Sequence, residues 1–311
     1  MSTITGIHHI TAIAGNAQRN YDFYTKTLGL RLVKKTVNFD DPHTYHFYYG
    51  DYNGTPGTIL TFFPWEGISA GRRGTGQATE IGYAVPTDSL EFWKKRFEAR
   101  GVTFNNPATK FGEEYLTFLD PDGLKFELIA TTPAQDSRKP FTTTEVTDAV
   151  ATKGFRNVTI TLDSIKGTAD VLKLLGYELK GQEVNRYRFG LANDAQPSYI
   201  DLVEVPGEKR GHVAGGSVHH IAFRVPDSKA QMAYRSIIED KGFNITPQID
   251  RNYFNSLYFR EPGGVLFEIA TDDPGFAVDE PVATLGMSLK LPAQYESSRA
   301  EIEKHLPKLN Q

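Results

Sequence analysis

The sequence predicts an α+β fold: four βαβββ modules paired into two curved-sheet cups. Three observations carry this. The chain of 311 residues is 12% aromatic, and its short β-rich runs are split by Gly and Pro turns. The order strand, helix, three strands recurs four times with a period of about 50–60 residues, near the upper end of usual repeat lengths. Two of the repeats open on one motif, GIHHITAIA at residues 6–14 and SVHHIAFRV at 217–225. A lone βαβββ unit leaves one sheet face bare. Two paired units bury that face as a curved sheet with helices outside and a cup inside, so four units make two cups.

Unit one runs from about Gly6 to Trp65. It reads as a strand (IHHITAIA), a helical segment (AQRNYDFYTKTLGL) and strands near RLVKKTVNF, TYHFYYGD and GTILTFFP. Unit two, about Ala78 to Ala130, has TEIGYAVP, the helix SLEFWKKRFEARG and the closing run EYLTFLDPDGLKFELIA. Unit three, about Lys153 to Val205, has GFRNVTITL, TADVLKLLGYELK, NRYRFG and YIDLVEV. Unit four, about Ser217 to Ala270, has SVHHIAFRVP, KAQMAYRSIIEDKGF and SLYFREPGGVLFEIA. Leu90, Trp93 and Phe97 recur at helical spacing, and Gly101 and Gly242 mark helix ends. Asp-Pro-Asp-Gly at 120–123 and Glu-Pro-Gly-Gly at 261–264 are turn signals between closing strands. In sequence the chain divides into an N-terminal domain (1–130), a polar linker (131–152), a C-terminal domain (153–271) and a tail (272–311). Within the tail, ESSRAEIEKHLPKL reads as a closing helix.

Composition narrows the function. The formal net charge is −4 with no basic stripe, which argues against nucleic acid as a partner. No apolar run approaches the ~20 residues of a membrane span, and the N-terminus lacks a signal-peptide pattern, so a cytoplasmic protein is expected. There is no cysteine. Any metal must therefore bind through imidazole or oxygen ligands.

Four of the eight histidines sit in the two matched opening strands. Side chains alternate between faces along a strand. In unit four His219, Ile221, Phe223 and Val225 share one face, while His220, Ala222 and Arg224 share the other. Glu268 opposes the apolar set Val265, Phe267 and Ile269; Tyr258 opposes Leu257 and Phe259. One choice of parity brings His220, Glu268 and Tyr258 together. In unit one both faces carry isoleucine, so parity separates His8 from His9 but does not say which faces the cup. Units two and three have no histidine at the matched position, carrying Glu80-Ile81-Gly82 and Arg156-Asn157-Val158. Glu127 matches Glu268 in unit two, Glu204 lies nearby in unit three, and unit one has Thr61 and Phe62 with no acid. A cup made from units one and four would hold His9, His220 and Glu268. Two histidines and one carboxylate form the facial triad of non-haem Fe(II) oxygenases, which leaves the other side of the ion free for an organic donor and O2. Glu127 and Glu204 read as structural acids, and His43 and His46 as strand packing or substrate lining. His212, His305 and the Arg72-Arg73 loop read as solvated.

These residues resemble a known family. The repeats are similar to the vicinal oxygen chelate (glyoxalase/extradiol dioxygenase) superfamily. IHHIT, TPGTILTFFP, GRRGTGQ, VHHIAF, RNYFNSLYFREPGG and PGGVLFEIA resemble its ring-cleaving dioxygenases that open hydroquinones, over nearly the whole chain. The resemblance implies Fe(II) held by His9, His220 and Glu268, with Mn(II) sharing the ligand set. It implies a small aromatic diol and O2 as substrates, and it fits a role in aromatic degradation and detoxification. It carries over His8, Thr11, His219, Arg251 and Tyr258 as catalytic residues around the metal; strict alternation places His8 and His219 away from the ligands unless a bulge turns them back. The rival readings are a glyoxalase-type isomerase or thiol transferase, which usually needs a second acid, and a non-enzymatic binder of planar aromatics. The exact diol and the oligomeric state, a homo-oligomer included, are left open.

Overall fold

The computed structural model describes residues 4–192 and 198–311. Met1–Thr3 of the N-terminal stretch read above lie outside them. Each repeat unit forms four strands and a helix, in the expected order. Unit one comprises β1 (Ile7–Ala14), α1 (Ala17–Asp22, extended by a π turn over Phe23–Thr27), β2 (Arg31–Asn38), β3 (Asp41–Gly50) and β4 (Ile59–Pro64). Unit two comprises β5 (Gln77–Pro86), α2 (Leu90–Ala99), β6 (Ala108–Lys110), β7 (Glu113–Leu119) and β8 (Lys125–Thr131). Unit three comprises β9 (Gly154–Leu162), α3 (Lys166–Leu174), β10 (Tyr177–Glu183), β11 (Arg186–Leu191) and β12 (Tyr199–Glu204). Unit four comprises β13 (Ser217–Val225), α4 (Ser228–Asp240), β14 (Ile249–Asp250), β15 (Phe254–Arg260) and β16 (Leu266–Pro274). The closing helix of the tail, α5, covers Arg299–His305.

The units pair into two eight-stranded sheets. One runs β14-β15-β16-β13-β1-β4-β3-β2 and the other β10-β11-β12-β9-β5-β8-β7-β6. Each sheet thus joins one unit from each side of residues 131–152, with the opening strands of its two units antiparallel at the centre. The segments between units run beside each other through bridges at Ala70/Gly215, Arg72/His212 and Thr75/Arg210. The linker is not a free tether. Arg138 donates to Gly57 O at 3.2 Å and Phe155 O at 3.0 Å, and so fastens one sheet to the other.

The helices cover the outer faces because their apolar residues recur on one side. In α2, Leu90, Trp93 and Phe97 are buried, and Gly101 takes φ 66° just beyond its end, a left-handed turn that glycine adopts without steric cost. In α4 the Asp227 carboxylate caps the N-terminus by accepting from Ala230 N at 2.8 Å. Buried Gln231 donates to Asn255 O and Ile269 O, both at 2.7 Å, tying α4 to β15 and β16. The tail lies against β2 and β3. Lys34, with no exposed surface, reaches Asp279 at 2.5 Å and Glu280 at 2.6 Å, and Tyr295 donates to Phe39 O at 2.7 Å. No helix among the described residues is long and apolar enough to cross a membrane.

Candidate metal centre

The site sits where β1 and β13 meet. Their pairing is interrupted twice. Ile7 faces Phe223 while His9 faces Ala222, and Thr11 faces His220 while Ala12 faces Val218. His8 and His219 are therefore each the extra residue of a β-bulge. A bulge breaks strict alternation and re-aims side chains. The consequence is local: His8 Nδ1 lies 2.9 Å from His9 Nδ1, and His219 Nδ1 lies 2.8 Å from His220 Nδ1. With His9 and His220 donating from Nδ1, both Nε2 lone pairs are free and point into the cup.

Glu268 comes from β16, which runs parallel to β13 with Glu268 opposite Ala222. Its Oε1 accepts from Ser256 Oγ at 2.5 Å. Its Oε2 lies 3.2 Å from His9 Nε2 and 2.9 Å from His220 Nε2, and the two Nε2 atoms are 3.2 Å apart. Glu268 Oε2 is buried yet makes no well-formed hydrogen bond. These are the only metal-capable group of three among the described residues. An ion with bonds of about 2.1 Å holds neighbouring donors about 3.0 Å apart. The three edges match that spacing, and the orphaned oxygen supplies the charge a cation needs. The donor set therefore fits a divalent metal, with the cavity on its open side.

Burial controls the protonation. It lowers His220, and it lowers His8, with the charge of His9 adding to the effect. His219 falls to about 3, through burial and then His220. Burial alone would raise Glu268, but His9 and His220 outweigh it and hold the carboxyl well below its ordinary range. Neutral imidazoles beside an ionised carboxylate are the forms that bind metals.

The chain carries the pattern of the Glyoxalase/Bleomycin resistance protein/Dioxygenase superfamily over residues 6–128 and 172–269. It belongs to that superfamily. It is 48% identical over 305 residues to "Putative ring-cleaving dioxygenase MhqO" of Bacillus subtilis, covering 97% of this chain and 95% of that one. It is 38% identical over 314 residues to the chlorohydroquinone/hydroquinone 1,2-dioxygenase of Sphingobium indicum, covering 96% and 95%. The crystal structure of a "putative dioxygenase" from Bacillus subtilis superposes with TM-score 0.93 at 46% identity, covering 100% and 99%. Within the superfamily this chain is an enzyme of the ring-cleaving dioxygenase kind.

Each of the four units has one position that matches Glu268 and one that matches His220. Register identifies them here. Glu268 faces Ala222, Thr61 faces Thr11, Glu127 faces Gly82 and Asp201 faces Thr159. Two residues before each partner stand His220, His9, Glu80 and Asn157. The acid of unit three is thus Asp201, not the nearby Glu204 of the sequence reading; Glu204 sits three residues further along β12 and accepts from Ile165 N at 3.0 Å, at the start of α3. In the second cup the same positions are filled by ion pairs. Lys110 pairs with Glu127, Arg186 with Glu80 at 3.1 Å, and Arg188 with Asp201 at 2.8 Å. Cationic side chains occupy that cup, leaving one open centre.

A cavity of about 230 Å³ opens over His9 and His220. Of the residues the sequence places around the candidate ligands, Thr11, His219, Arg251 and Tyr258 line it, and His8 is not on the wall. Tyr258 packs edge-on to His220 with ring centres 5.6 Å apart. Burial, then Glu268, pushes its hydroxyl up, so it stays protonated and can donate. Arg251 is presented by a tight turn in which Asn252 takes φ 66°; its guanidinium lies 5.6 Å from the Tyr258 ring centre and 3.6 Å from Asp40. Sequence reasoning gave no site role to Tyr48, Phe63, Trp65, Phe254 or Asp40, which also line the cavity. His46 lines it too, whereas His43 stacks on His305 at 4.6 Å, away from it. The missing signal was register: Tyr48 faces Thr61 as Tyr258 faces Glu268, so the two tyrosines occupy matched positions.

Proposed function

We propose that this chain is a non-haem Fe(II)-dependent dioxygenase that opens the ring of a hydroquinone- or catechol-type diol and inserts both atoms of O2. The observation that carries the reading is the convergence of His9 Nε2, His220 Nε2 and Glu268 Oε2 on one point beside an aromatic-walled cavity. His9, His220 and Glu268 would hold the ion. When bound, Fe(II) supplies a meeting point at which electron density passes from an aromatic ring to O2.

The rest falls to the protein. Phe254, Phe63 and Trp65 give the ring flat apolar walls, and about 230 Å³ suits a single ring with small substituents better than a fused system. Arg251 and the Tyr258 hydroxyl face the same space and stabilise negative charge on a ring oxygen. His8 and His219 hold the ligand imidazoles in the tautomer that keeps Nε2 free. The hydroquinone dioxygenase relative supports the substrate class. The isomerase reading is weaker because Thr61 stands at the fourth ligand position, and its hydroxyl is engaged by Thr11 at 2.8 Å and His46 at 2.9 Å. A metal-free binder gives no reason for His9, His220 and Glu268 to converge.

The test is oxygen uptake by anaerobically Fe(II)-loaded protein given methylhydroquinone or catechol, with His220→Ala and Mn(II)-loaded protein alongside. Iron-dependent uptake that vanishes in the variant is expected. Bound metal with no uptake on any dihydroxybenzene would move the isomerase to the front.

A further inference from the structure

Opposite the metal ligands, four side chains form one unbroken hydrogen-bonded line. Tyr48 OH lies 2.9 Å from His46 Nδ1, His46 Nε2 lies 2.9 Å from Thr61 Oγ1, and Thr61 Oγ1 lies 2.8 Å from Thr11 Oγ1. Both ends, Tyr48 and Thr11, border the cavity, while Thr61 is buried behind its wall. From this geometry we infer that Tyr48, His46, Thr61 and Thr11 form a proton relay between two points of the substrate cavity, with His46 and Thr61 acting as positioning residues through the other two.

The line permits two arrangements. In one, Tyr48 donates to Nδ1, Nε2–H donates to Thr61, Thr61 donates to Thr11, and Thr11 offers its proton to the cavity. In the other every bond is reversed, so Tyr48 offers the proton and Thr11 accepts. A neutral imidazole is required, since imidazolium has two N–H groups and no acceptor. Burial, then the charges of His9 and His220, holds His46 well below its ordinary range. Passing between arrangements transfers one proton with no change in charge. A diol O–H breaks as an O–H forms on Tyr48. Tyr48 gives its own proton to Nδ1, Nε2 gives one to Thr61, Thr61 gives one to Thr11, and Thr11 releases one to an oxygen acceptor in the cavity.

The other units lack this device. At the positions matching His46 and Thr61, unit four has Ser256 and Glu268, whose single bond fixes a carboxylate, and unit two has Tyr115 and Glu127. In unit one the position that matches Glu268 carries the Thr61 hydroxyl, which joins the His46 imidazole to the Thr11 hydroxyl. The substrate assignment rests on the dioxygenase reading above, but the relay has a test of its own.

Thr61→Val keeps the shape and cuts the line; Thr61→Ser restores the hydroxyl; His46→Gln keeps a polar bridge without two exchangeable nitrogens. With Fe(II)-loaded protein and methylhydroquinone, Thr61→Val and His46→Gln should lose on the order of 100-fold or more in kcat. The anaerobic Kd for the diol should change less than about threefold, and Thr61→Ser should recover most of the rate. The wild-type solvent isotope effect should show curvature from several moving protons, and the cut variants should lose it. The second arm needs no turnover: ¹⁵N-histidine spectra of Zn(II)-loaded protein should show His46 exchanging its protonated nitrogen when hydroquinone is added, and holding one tautomer in Thr61→Val. Wild-type kcat and isotope effect in Thr61→Val would overturn the relay while leaving the dioxygenase standing. An inactive wild type whose His46 still switches would do the reverse. A His46 unmoved by hydroquinone would overturn the relay in either case.

Discussion

His219 Nδ1 lies 2.8 Å from His220 Nδ1, and a β-bulge at His219 makes this contact between neighbours along one strand. With the candidate ligands donating from Nδ1, the contact and its counterpart between His8 and His9 leave Nε2 of His220 and of His9 free. Partners of this kind typically contribute 10- to 100-fold in metal affinity. His219→Ala and His8→Ala should each weaken Fe(II) or Zn(II) binding by about that factor, measured by competition with a chromophoric chelator. Unchanged affinity in both would remove them from the metal centre.

The buried histidines also make stability depend on pH. Burial holds His8, His46 and His220 below the ordinary imidazole range and brings His219 down to about 3, so the native state takes up protons on these rings at lower pH than the unfolded chain does. In the unfolded chain each takes up a proton below about 6.5. The contribution is therefore intact above that pH and is lost as pH falls below it, for His219 down to about 3, at up to about 1.4 kcal/mol per pH unit for each group. Glu268, also depressed, acts in the same direction. The urea midpoint of chelator-treated protein should fall clearly between pH 7 and pH 5. A flat profile would mean that these imidazoles are already charged when folded.

Lys34 ties the tail to β2 with no exposed surface. Breaking a buried pair by removing one partner costs about 3–5 kcal/mol, because the remaining charge is stranded. Lys34→Ala, which strands the buried Glu280, should lose about that much in chemical denaturation, and Glu280→Gln less, since Asp279 still pairs with Lys34. Asp279→Asn should cost less, since Asp279 is one-third exposed and Glu280 still pairs. Equal, small losses for all three would show that the tail contributes little.

Arg251 spans the cavity wall and the Asp40 carboxylate at 3.6 Å, and Asp40 is 80% exposed. Such exposed pairs contribute about 0–1 kcal/mol, so Asp40→Asn should shift KM by no more than a few-fold. Arg251→Lys keeps the charge but loses the planar fork, and the diol KM should rise by about tenfold or more. If Asp40→Asn had the larger effect, the pair would be a gate to the cavity and not a rim contact.

His9, His220 and Glu268 were legible in the sequence because repeats expose chemistry. A residue that breaks the pattern of its matched strands stands out, and period-2 alternation places Glu268 and Tyr258 on the side of His220. The second wall was hidden for the same physical reason in reverse. In DPHTYHFYYG the aromatic residues Tyr45, Phe47, Tyr48 and Tyr49 fall on both faces of the strand, so alternation does not say which face His46 and Tyr48 turn to the cup. Only the pairing of β3 with β4 puts Tyr48 opposite Thr61. The position of His219 could not follow from alternation, since a bulge is a departure from it.

The sequence by itself determined the four βαβββ units and their order and singled out His9, His220 and Glu268 as candidate donors, because helix and strand periodicity are local and the repeats compare like with like. The tertiary structure alone decided the rest. It joined β1 to β13 across more than 200 residues, aimed His8 and His219 at the ligand rings, and filled the second cup with ion pairs. These depend on register and burial across strands distant in the chain, where a shift of one residue exchanges the cup face for the helix face.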